Sequence, residues 1–345
     1  MSVLVTGGSG FVGLNIASEL LAQGTDVALF GPAAPPAGAL AHLRGLKGVL
    51  TIAEGDVRDR RSLDEAIAAT GASRLVHGAA ITAGLEREAV EAIRIAEVNL
   101  LGTLNVLDAA VAAGIRRVVQ LGTGSVFGSV PPDIDAIDET LPPVPDSLYG
   151  ITKYAAERAA IRYRQTRGLD VVVARLGVVF GRWEYDTGVR DTLSVPLQLA
   201  RLARAGEKAC FRAGLPDDWV YAADIAGAVA ALLDAPATSY PVYQIATGRR
   251  WSITDWCERL KGTYPGFDYA LSADDALINV ARAAPTARPP FRVDRLREDV
   301  GYRARFLEEA AFEDYLAWHR AGGFETPSAS PQPADDRAAS MGAGR

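Results

Sequence analysis

The sequence predicts an α/β fold, a doubly wound parallel sheet with a smaller, interleaved C-terminal lobe. Three observations predict it. Short apolar runs alternate with alanine-rich segments of helical period through the first half of the chain. Most of these runs are dense in Val, Leu or Ile instead of alternating apolar with polar, as strands covered on both faces are. The first run leads into Thr6-Gly7-Gly8-Ser9-Gly10-Phe11-Val12-Gly13, a glycine-rich turn that opens an amphipathic segment.

Taken in order, the strands are expected at Ser2 to Thr6, Asp26 to Phe30, Val49 to Glu54, Arg74 to His77, Arg117 to Gly122 and Val171 to Arg175. Helices are expected near 11–23, 62–70, 88–113 and 149–167, and right-handed crossovers between parallel strands then wind the sheet in both directions. Residues 1–175 read as a dinucleotide-binding domain of Rossmann type. Gly31 to Gly38, rich in Pro and Ala, reads as irregular. After Arg175 the loops lengthen and Trp183, Trp219, Trp251 and Trp256 appear, so 176–320 reads mainly as a substrate-facing lobe. Within it, Asp224 is expected to cap a helix over 225–233 and Val242 to Ala246 to form a strand, so that 224–246 rejoins the sheet. From about Glu325 apolar bulk vanishes, and 325–345 is expected to be a disordered tail.

Composition narrows the function classes. With 345 residues and 49% hydrophobic content the chain can bury a substantial core. A net charge of −6 provides no basic field for a polyanion, so a small molecule is expected as partner in place of nucleic acid. Cys210 and Cys257 lack paired spacing and the chain has three histidines, which argues against a metal site or a disulfide framework. No basic, apolar leader precedes the first strand, and no apolar run reads as approaching the ~20 residues that span a bilayer. A cytoplasmic protein that does not enter the membrane is the expectation.

The glycine turn carries a first chemical meaning. Gly7, Gly10 and Gly13 allow a tight turn and close approach of the backbone N–H groups of Phe11, Val12 and Gly13 to a pyrophosphate at the positive end of a helix. Asp56, followed by Val57, reads either as an acceptor for an adenine amine or as a turn aspartate. His77-Gly78-Ala79-Ala80 ends a strand with small residues at Ala79 and Ala80, where a cofactor ribose can approach, while His77 itself reads as structural. A carboxylate normally ends the second strand to hold ribose hydroxyls. Gly31 stands there, which leaves both NAD and NADP open with NAD preferred.

Tyr149-Gly150-Ile151-Thr152-Lys153 carries a second meaning. Lysine occurs only at positions 47, 153, 208 and 261, so a Tyr-x-x-x-Lys by accident is rare. On a helix the two side chains share a face, which places an ammonium where it favours phenolate over phenol. A phenol tuned from its usual value near ~10 can exchange a proton at a carbinol.

In order, Thr6 to Gly13, Gly55-Asp56-Val57, His77 to Ala80, Asn99 in Asn99-Leu100-Leu101-Gly102-Thr103, Thr123-Gly124-Ser125-Val126-Phe127-Gly128, Tyr149 to Lys153 and Trp219 to Asp224 are the set on which the chain resembles the extended short-chain dehydrogenases/reductases. It is most similar to their NAD-dependent epimerase/dehydratase group, over roughly residues 1 to 320. The resemblance implies that Thr123 orients the substrate oxygen, that Tyr149 is acid/base, and that Lys153 binds the nicotinamide ribose and lowers the tyrosine pKa. It extends the cofactor site to Asn99. It also implies a homodimer formed through the 88–113 and 149–167 helices.

Departures from that pattern bear on the substrate. Gly124-Ser125 replaces the Asp-Glu that follows the hydroxyl in 4,6-dehydrating members, so that reaction is not expected. Asp217-Asp218-Trp219 lacks the arginine that nucleotide-sugar epimerases place before the aspartate, and Gly177 stands where a substrate-binding Asn often lies. Arg288 reads either as a phosphate contact or as a solvated loop residue. Arg182, Arg190 and Arg212 could each meet an anion, and the sequence assigns none of them a role. The reading is an NAD(P)-dependent oxidoreductase acting at a secondary alcohol or ketone carbon of a sugar, sugar acid or polyol. A nucleotide-sugar 4-epimerase is the alternative. A non-catalytic cofactor-sensing protein has no need of the Thr123, Tyr149 and Lys153 set.

Overall fold

The computed structural model describes residues 2–131, 133–213, 218–282 and 288–323; the stretch 325–345, expected to be disordered, lies outside them. Its strands are β1 (Ser2–Thr6), β2 (Asp26–Gly31), β3 (Leu50–Glu54), β4 (Ala72–His77), β5 (Arg117–Thr123), β6 (Val171–Leu176), β7 (Val178–Phe180), β8 (Ala209–Phe211), β9 (Trp219–Tyr221), β10 (Val242–Ile245) and β11 (Tyr269–Leu271). Seven of them form one parallel sheet in the order β3-β2-β1-β4-β5-β6-β10. This is the doubly wound sheet the sequence predicts, and the order reverses between β1 and β4, where such sheets open a crevice at the strands' carboxyl ends.

Alternation along β1 explains the two layers. Val3 and Val5 face one side, where they join Leu14 and Leu20 of α1 (Phe11–Ala22) and Ile225 and Val229 of α8 (Ala222–Asp234). Leu4 faces the other, with Leu63 of α3 (Arg60–Thr70) and Val106 of α5 (Gly102–Ala112). Burial of each such side chain contributes about 1.5–3 kcal/mol, and the central strands are covered on both faces as their composition demands. β3 and β10 are the edge strands, and on β3 Thr51 and Ile52 are exposed.

The remaining helices are α2 (Ala37–Arg44), α4 (Leu85–Ala96), α6 (Leu148–Arg167), α7 (Val195–Ala205), α9 (Ile253–Thr263), α10 (Asp294–Asp299) and α11 (Glu308–Arg320). Three local expectations need correction. The irregular stretch is shorter than read, because Ala37 already begins α2 behind Pro36. The single helix expected over 88–113 is α4 and α5 joined by a π-helical turn, Glu97–Leu101. Asp224 does not cap α8: Tyr221 stands at the cap, and the buried Asp224 carboxylate accepts from Tyr302 Oη and from the Arg305 and Phe306 N–H groups. By length and composition the run Leu85–Ala112 is apolar enough to cross a membrane, contrary to the expectation of no such run, but Val106, Leu107, Ala109 and Ala110 in it are fully buried in the core.

Beyond β6 the chain builds two small two-stranded sheets, β7 with β9 and β8 with β11, around an aromatic cluster. Phe180 is its centre, with Trp251 and Trp256 edge-on at 5.6 and 5.3 Å. β10 then pairs with β6 in the main sheet.

Candidate functional site

The cleft lies where β1 and β4 end. Gly7 adopts a left-handed φ of +68°, and a Cβ there would stand 2.7 Å from the Ala79 nitrogen; a Cβ on Gly13 would stand 2.4 Å from the Gly7 carbonyl oxygen. Only glycine allows the turn to fold this tightly against both β4 and its own helix. Gly10 caps α1 without a side chain, so the first N–H groups of that helix keep no side-chain acceptor and face the cleft lined by Gly7, Gly10, Phe11, Val12 and Gly13. A pyrophosphate fits this cradle sterically and electrostatically. Beneath it, His77 joins Thr6 Oγ1 at 2.7 Å to Thr103 Oγ1 at 2.9 Å. Burial pushes the imidazole down to about 3, so it is neutral and structural.

Ser147 caps α6 by accepting from the Gly150 N–H at 3.1 Å. A Cβ on Gly150 would lie 2.7 Å from the Ser125 carbonyl oxygen, so glycine lets α6 press against the loop after β5. That approach brings Tyr149 to Thr123. The phenol sits beside the Thr123 and Thr82 hydroxyls, and both of these, together with the charge of Arg190, oppose the upward push that burial gives its pKa. Lys153, one turn further, is buried and donates to the Leu121 carbonyl at 2.7 Å. Burial lowers its pKa to about 8 against the opposing charge of Glu157. Glu157 is in turn held by Arg175 Nε at 2.8 Å and Nη2 at 2.6 Å. Tyr149 and Lys153 thus share a face as the spacing predicts, but in this structure burial raises the phenol instead of the ammonium lowering it, because the ammonium points to the β5 carbonyl.

The structure brings Thr123, Tyr149 and Lys153 into one cleft with Gly7, Gly10, Phe11, Val12, Gly13 and Ala80. Its cavity volume is about 380 Å³, within the ~300–1,000 Å³ of a typical small-molecule pocket. Asp56, Val57, Ala79 and Asn99 are not among the described residues that line it. The Asp56 carboxylate is taken by Arg58 at 2.7 Å, which holds its pKa below the usual value. Val57 is buried, and its carbonyl accepts from Asn105 at 2.9 Å. Ala79 backs Gly7. Asn99 is fully buried on the π-helical turn, where it clamps the Ile81 N–H at 2.8 Å and carbonyl at 3.0 Å, fixing the loop that carries Ala80 and Thr82.

Sequence reasoning does not find Thr82, Tyr185 and Phe291. Thr82 reaches the phenol only because its segment pairs with residues 189–191. Tyr185 Oη donates to the Ser9 carbonyl at 2.8 Å and so ties the C-terminal half to the glycine turn. Phe291 fills the space beside Gly124, where a Cβ would stand 2.5 Å from its ring.

A family model described as NAD dependent epimerase/dehydratase family matches residues 3–246. The chain belongs to this family. Along 340 residues it is 27% identical to a dTDP-glucose 4,6-dehydratase of Streptomyces niveus, covering 93% of each chain. It is 33% identical over 174 residues to a UDP-glucose 4-epimerase of Rhizobium leguminosarum bv. trifolii, half of each. The solved UDP-glucose 4-epimerase of Thermus thermophilus, in complex with NAD, superposes with a TM-score of 0.76 at 26% identity, over 93% of this chain and 99% of that one. Membership of the epimerase/dehydratase family accords with a site built from a glycine cradle and a hydroxyl, phenol and ammonium in sequence.

Proposed function

We propose that the protein is an NAD-dependent oxidoreductase acting at a secondary alcohol or ketone carbon of a carbohydrate. The observation that carries this reading is the Tyr149 phenol, set beside the Thr123 and Thr82 hydroxyls in the cleft into which the glycine cradle opens. Gly10 to Gly13 would hold the NAD pyrophosphate, and the bound cofactor would supply the hydride acceptor and a positively charged ring that favours phenolate. In the oxidising direction the Tyr149 oxygen takes the carbinol proton, the C–H electrons leave as hydride and the carbonyl forms; in the reducing direction Tyr149 returns the proton. Thr123 orients the substrate oxygen. Lys153, held by Leu121, lines the same cleft and would donate to the nicotinamide ribose. NAD is preferred over NADP because β2 ends at Gly31 with no basic residue following directly, and the Thermus thermophilus relative is in complex with NAD.

The 4-epimerase reading is kept because a solved UDP-glucose 4-epimerase superposes over 93% of the chain. It uses the same groups, with hydride returned to the opposite face of a transient ketone. Dehydration is disfavoured at the residue level: Gly124-Ser125 carries no carboxylate, and a side chain at 124 meets Phe291. A homodimer is supported by exposed apolar residues on α4 and α6, among them Leu85, Val90, Ile93 and Ile151. The two free thiols, Cys210 and Cys257, suit a cytoplasmic setting.

Incubation with NAD and then NADP against free sugars, sugar acids and UDP-sugars tests the reading, following reduced nicotinamide and sugar composition together. Net reduction of the cofactor supports the dehydrogenase. An isomerised UDP-sugar without net reduction selects the epimerase, and neither change with any pair overturns both.

A further inference from the structure

Resting on the oxidoreductase reading, we propose that the substrate carries a carboxylate close to the reacting carbinol and that Arg190 binds it, with Glu184 as the residue that positions Arg190. The structure separates three arginines that the sequence leaves equivalent. Arg182 is engaged by Asp314, and Arg212 pairs with the exposed Asp275. Arg190, by contrast, lines the cleft.

Its placement is rigid and close to the chemistry. Residues 189–191 run alongside Thr82: the Thr82 N–H donates to the Val189 carbonyl at 2.8 Å and the Asp191 N–H to the Thr82 carbonyl at 3.3 Å. Thr82 carries one of the two hydroxyls beside the Tyr149 phenol, and the phenol feels the Arg190 charge directly. The guanidinium lies over the Phe11 ring at 5.6 Å, so it also touches the cofactor cradle. Asp191 locks the segment by accepting from the Gly84 N–H and from Arg87 Nε, each at 2.7 Å.

Glu184 holds the guanidinium from behind. Its side chain is 1% exposed and its carboxylate meets Arg190 Nη1 at 2.9 Å, the Ser194 hydroxyl at 2.5 Å and the Ser194 N–H at 2.7 Å. Glu184 and the Val179 carbonyl account for part of the guanidinium's donor set. The arginine side chain is 24% exposed, and its planar fork suits a planar carboxylate bonded at two points.

The rest of the lining agrees in sign. Arg282 and Arg288 share the cleft, whereas its two aspartates are already engaged: Asp191 as above, Asp218 by Thr247 and the Phe291 N–H. A neutral polyol has no need of a buried carboxylate committed to aiming an arginine at the phenol's surroundings. A sugar acid does.

The test is titration calorimetry of the NAD-loaded protein with D-glucuronate, D-gluconate, D-glucose and glucose 6-phosphate, on the wild type, Arg190→Gln and Arg190→Lys. The expected result is that an acid binds the wild type roughly 10- to 100-fold more tightly than glucose. Arg190→Gln removes that advantage while leaving glucose unchanged, and Arg190→Lys restores part of it. Should Arg190→Gln unfold the chain by stranding Glu184, the double variant Glu184→Gln/Arg190→Gln removes both charges and the same ratio is read on it. Equal binding of acid and glucose, no binding of either acid, or an acid advantage that survives Arg190→Gln overturns the proposal. An Arg190-dependent preference for glucose 6-phosphate over both acids overturns the carboxylate in favour of a phosphate. Arg190-dependent acid binding with no reduction of NAD or NADP leaves the anion site standing and removes the oxidoreductase reading instead.

Discussion

The Lys153 ammonium donates to the Leu121 carbonyl at 2.7 Å, which fastens α6 to β5 two residues before Thr123. One bond therefore sets the distance between the strand that carries the hydroxyl and the helix that carries the phenol. It also explains why the lysine tolerates burial: a carbonyl and the nearby Glu157 charge replace part of its lost hydration.

Burial of Lys153 makes stability depend on pH in a defined direction. Its folded pKa of about 8 lies below the ordinary 10.5, so between those values the unfolded chain binds more protons and stability rises with pH. Below about 8 both states are charged and the buried ammonium costs about 3 kcal/mol. Denaturant unfolding of wild type and Lys153→Met, at about pH 7 and about pH 10, should show the wild type gaining most of that amount relative to the variant. Parallel behaviour of the two proteins would refute the assignment.

Tyr149→Phe should lower turnover by about 10²- to 10⁴-fold with folding and cofactor affinity kept, the range of a lost general acid/base. Thr82→Val gives a subtler readout. The Thr82 hydroxyl opposes the rise of the phenol pKa, so its loss lets the pKa climb, and the pH at which oxidation sets in should move upward with little change in KM. A pH–rate profile that stays in place would separate Thr82 from the phenol.

The parts legible in the sequence are those whose chemistry is local. Gly7, Gly10 and Gly13 declare themselves because backbone approach depends on their own missing side chains, and Tyr149 and Lys153 because four residues make one helical turn. Arg190 is not legible, because what distinguishes it from Arg182 and Arg212 is its pairing with Thr82 and Glu184 across the fold. Asn99 is legible as a motif but not as a function, since the π-helical turn turns its amide onto the Ile81 backbone. Asp224 misleads for a related reason: acid before an apolar run signals a cap, yet tertiary donors from Tyr302, Arg305 and Phe306 claim the carboxylate one turn inside the helix.

Glu157 and Arg175 form an ion pair with side chains 1% and 4% exposed. Removing one partner leaves the other charged and dry, so Glu157→Gln or Arg175→Met should each destabilise the fold by about 3–5 kcal/mol. Lys153 also loses an opposing charge in Glu157→Gln, which lowers its pKa further. Chemical denaturation of both variants checks the first claim; the pH dependence of Glu157→Gln stability, displaced to lower pH, checks the second.

The glycines of the cradle are unequal in a measurable way. A methyl on Gly13 would overlap the Gly7 carbonyl oxygen at 2.4 Å and the Gly8 Cα at 2.9 Å, both backbone atoms that can move only by opening the turn. On Gly10 it would meet the same carbonyl oxygen at 3.2 Å, which a slight shift relieves. Gly13→Ala should therefore weaken NAD binding by at least about tenfold and Gly10→Ala by less, read by titration calorimetry, since only the first displaces the N–H groups at the start of α1.

Exposed apolar side chains on α4 give the dimer reading its test. Val90 is 80% exposed and Ile93 75% exposed, one on each side of the kink at Glu91, and together they form part of the apolar face that α4 presents to solvent. Val90→Asp combined with Ile93→Asp adds two charges to that face without touching the core, so the monomer should keep its fold and its melting temperature at high dilution. In sedimentation the wild type should run as a dimer and the double variant as a monomer. Because α4 also packs near Tyr149, with Glu88 accepting from the Tyr149 N–H at 3.3 Å, separation of the protomers should loosen the start of α6. Turnover should then fall in the monomer while Tyr149 and Lys153 remain in place, and a fully active monomer would show that the face serves no assembly the site depends on.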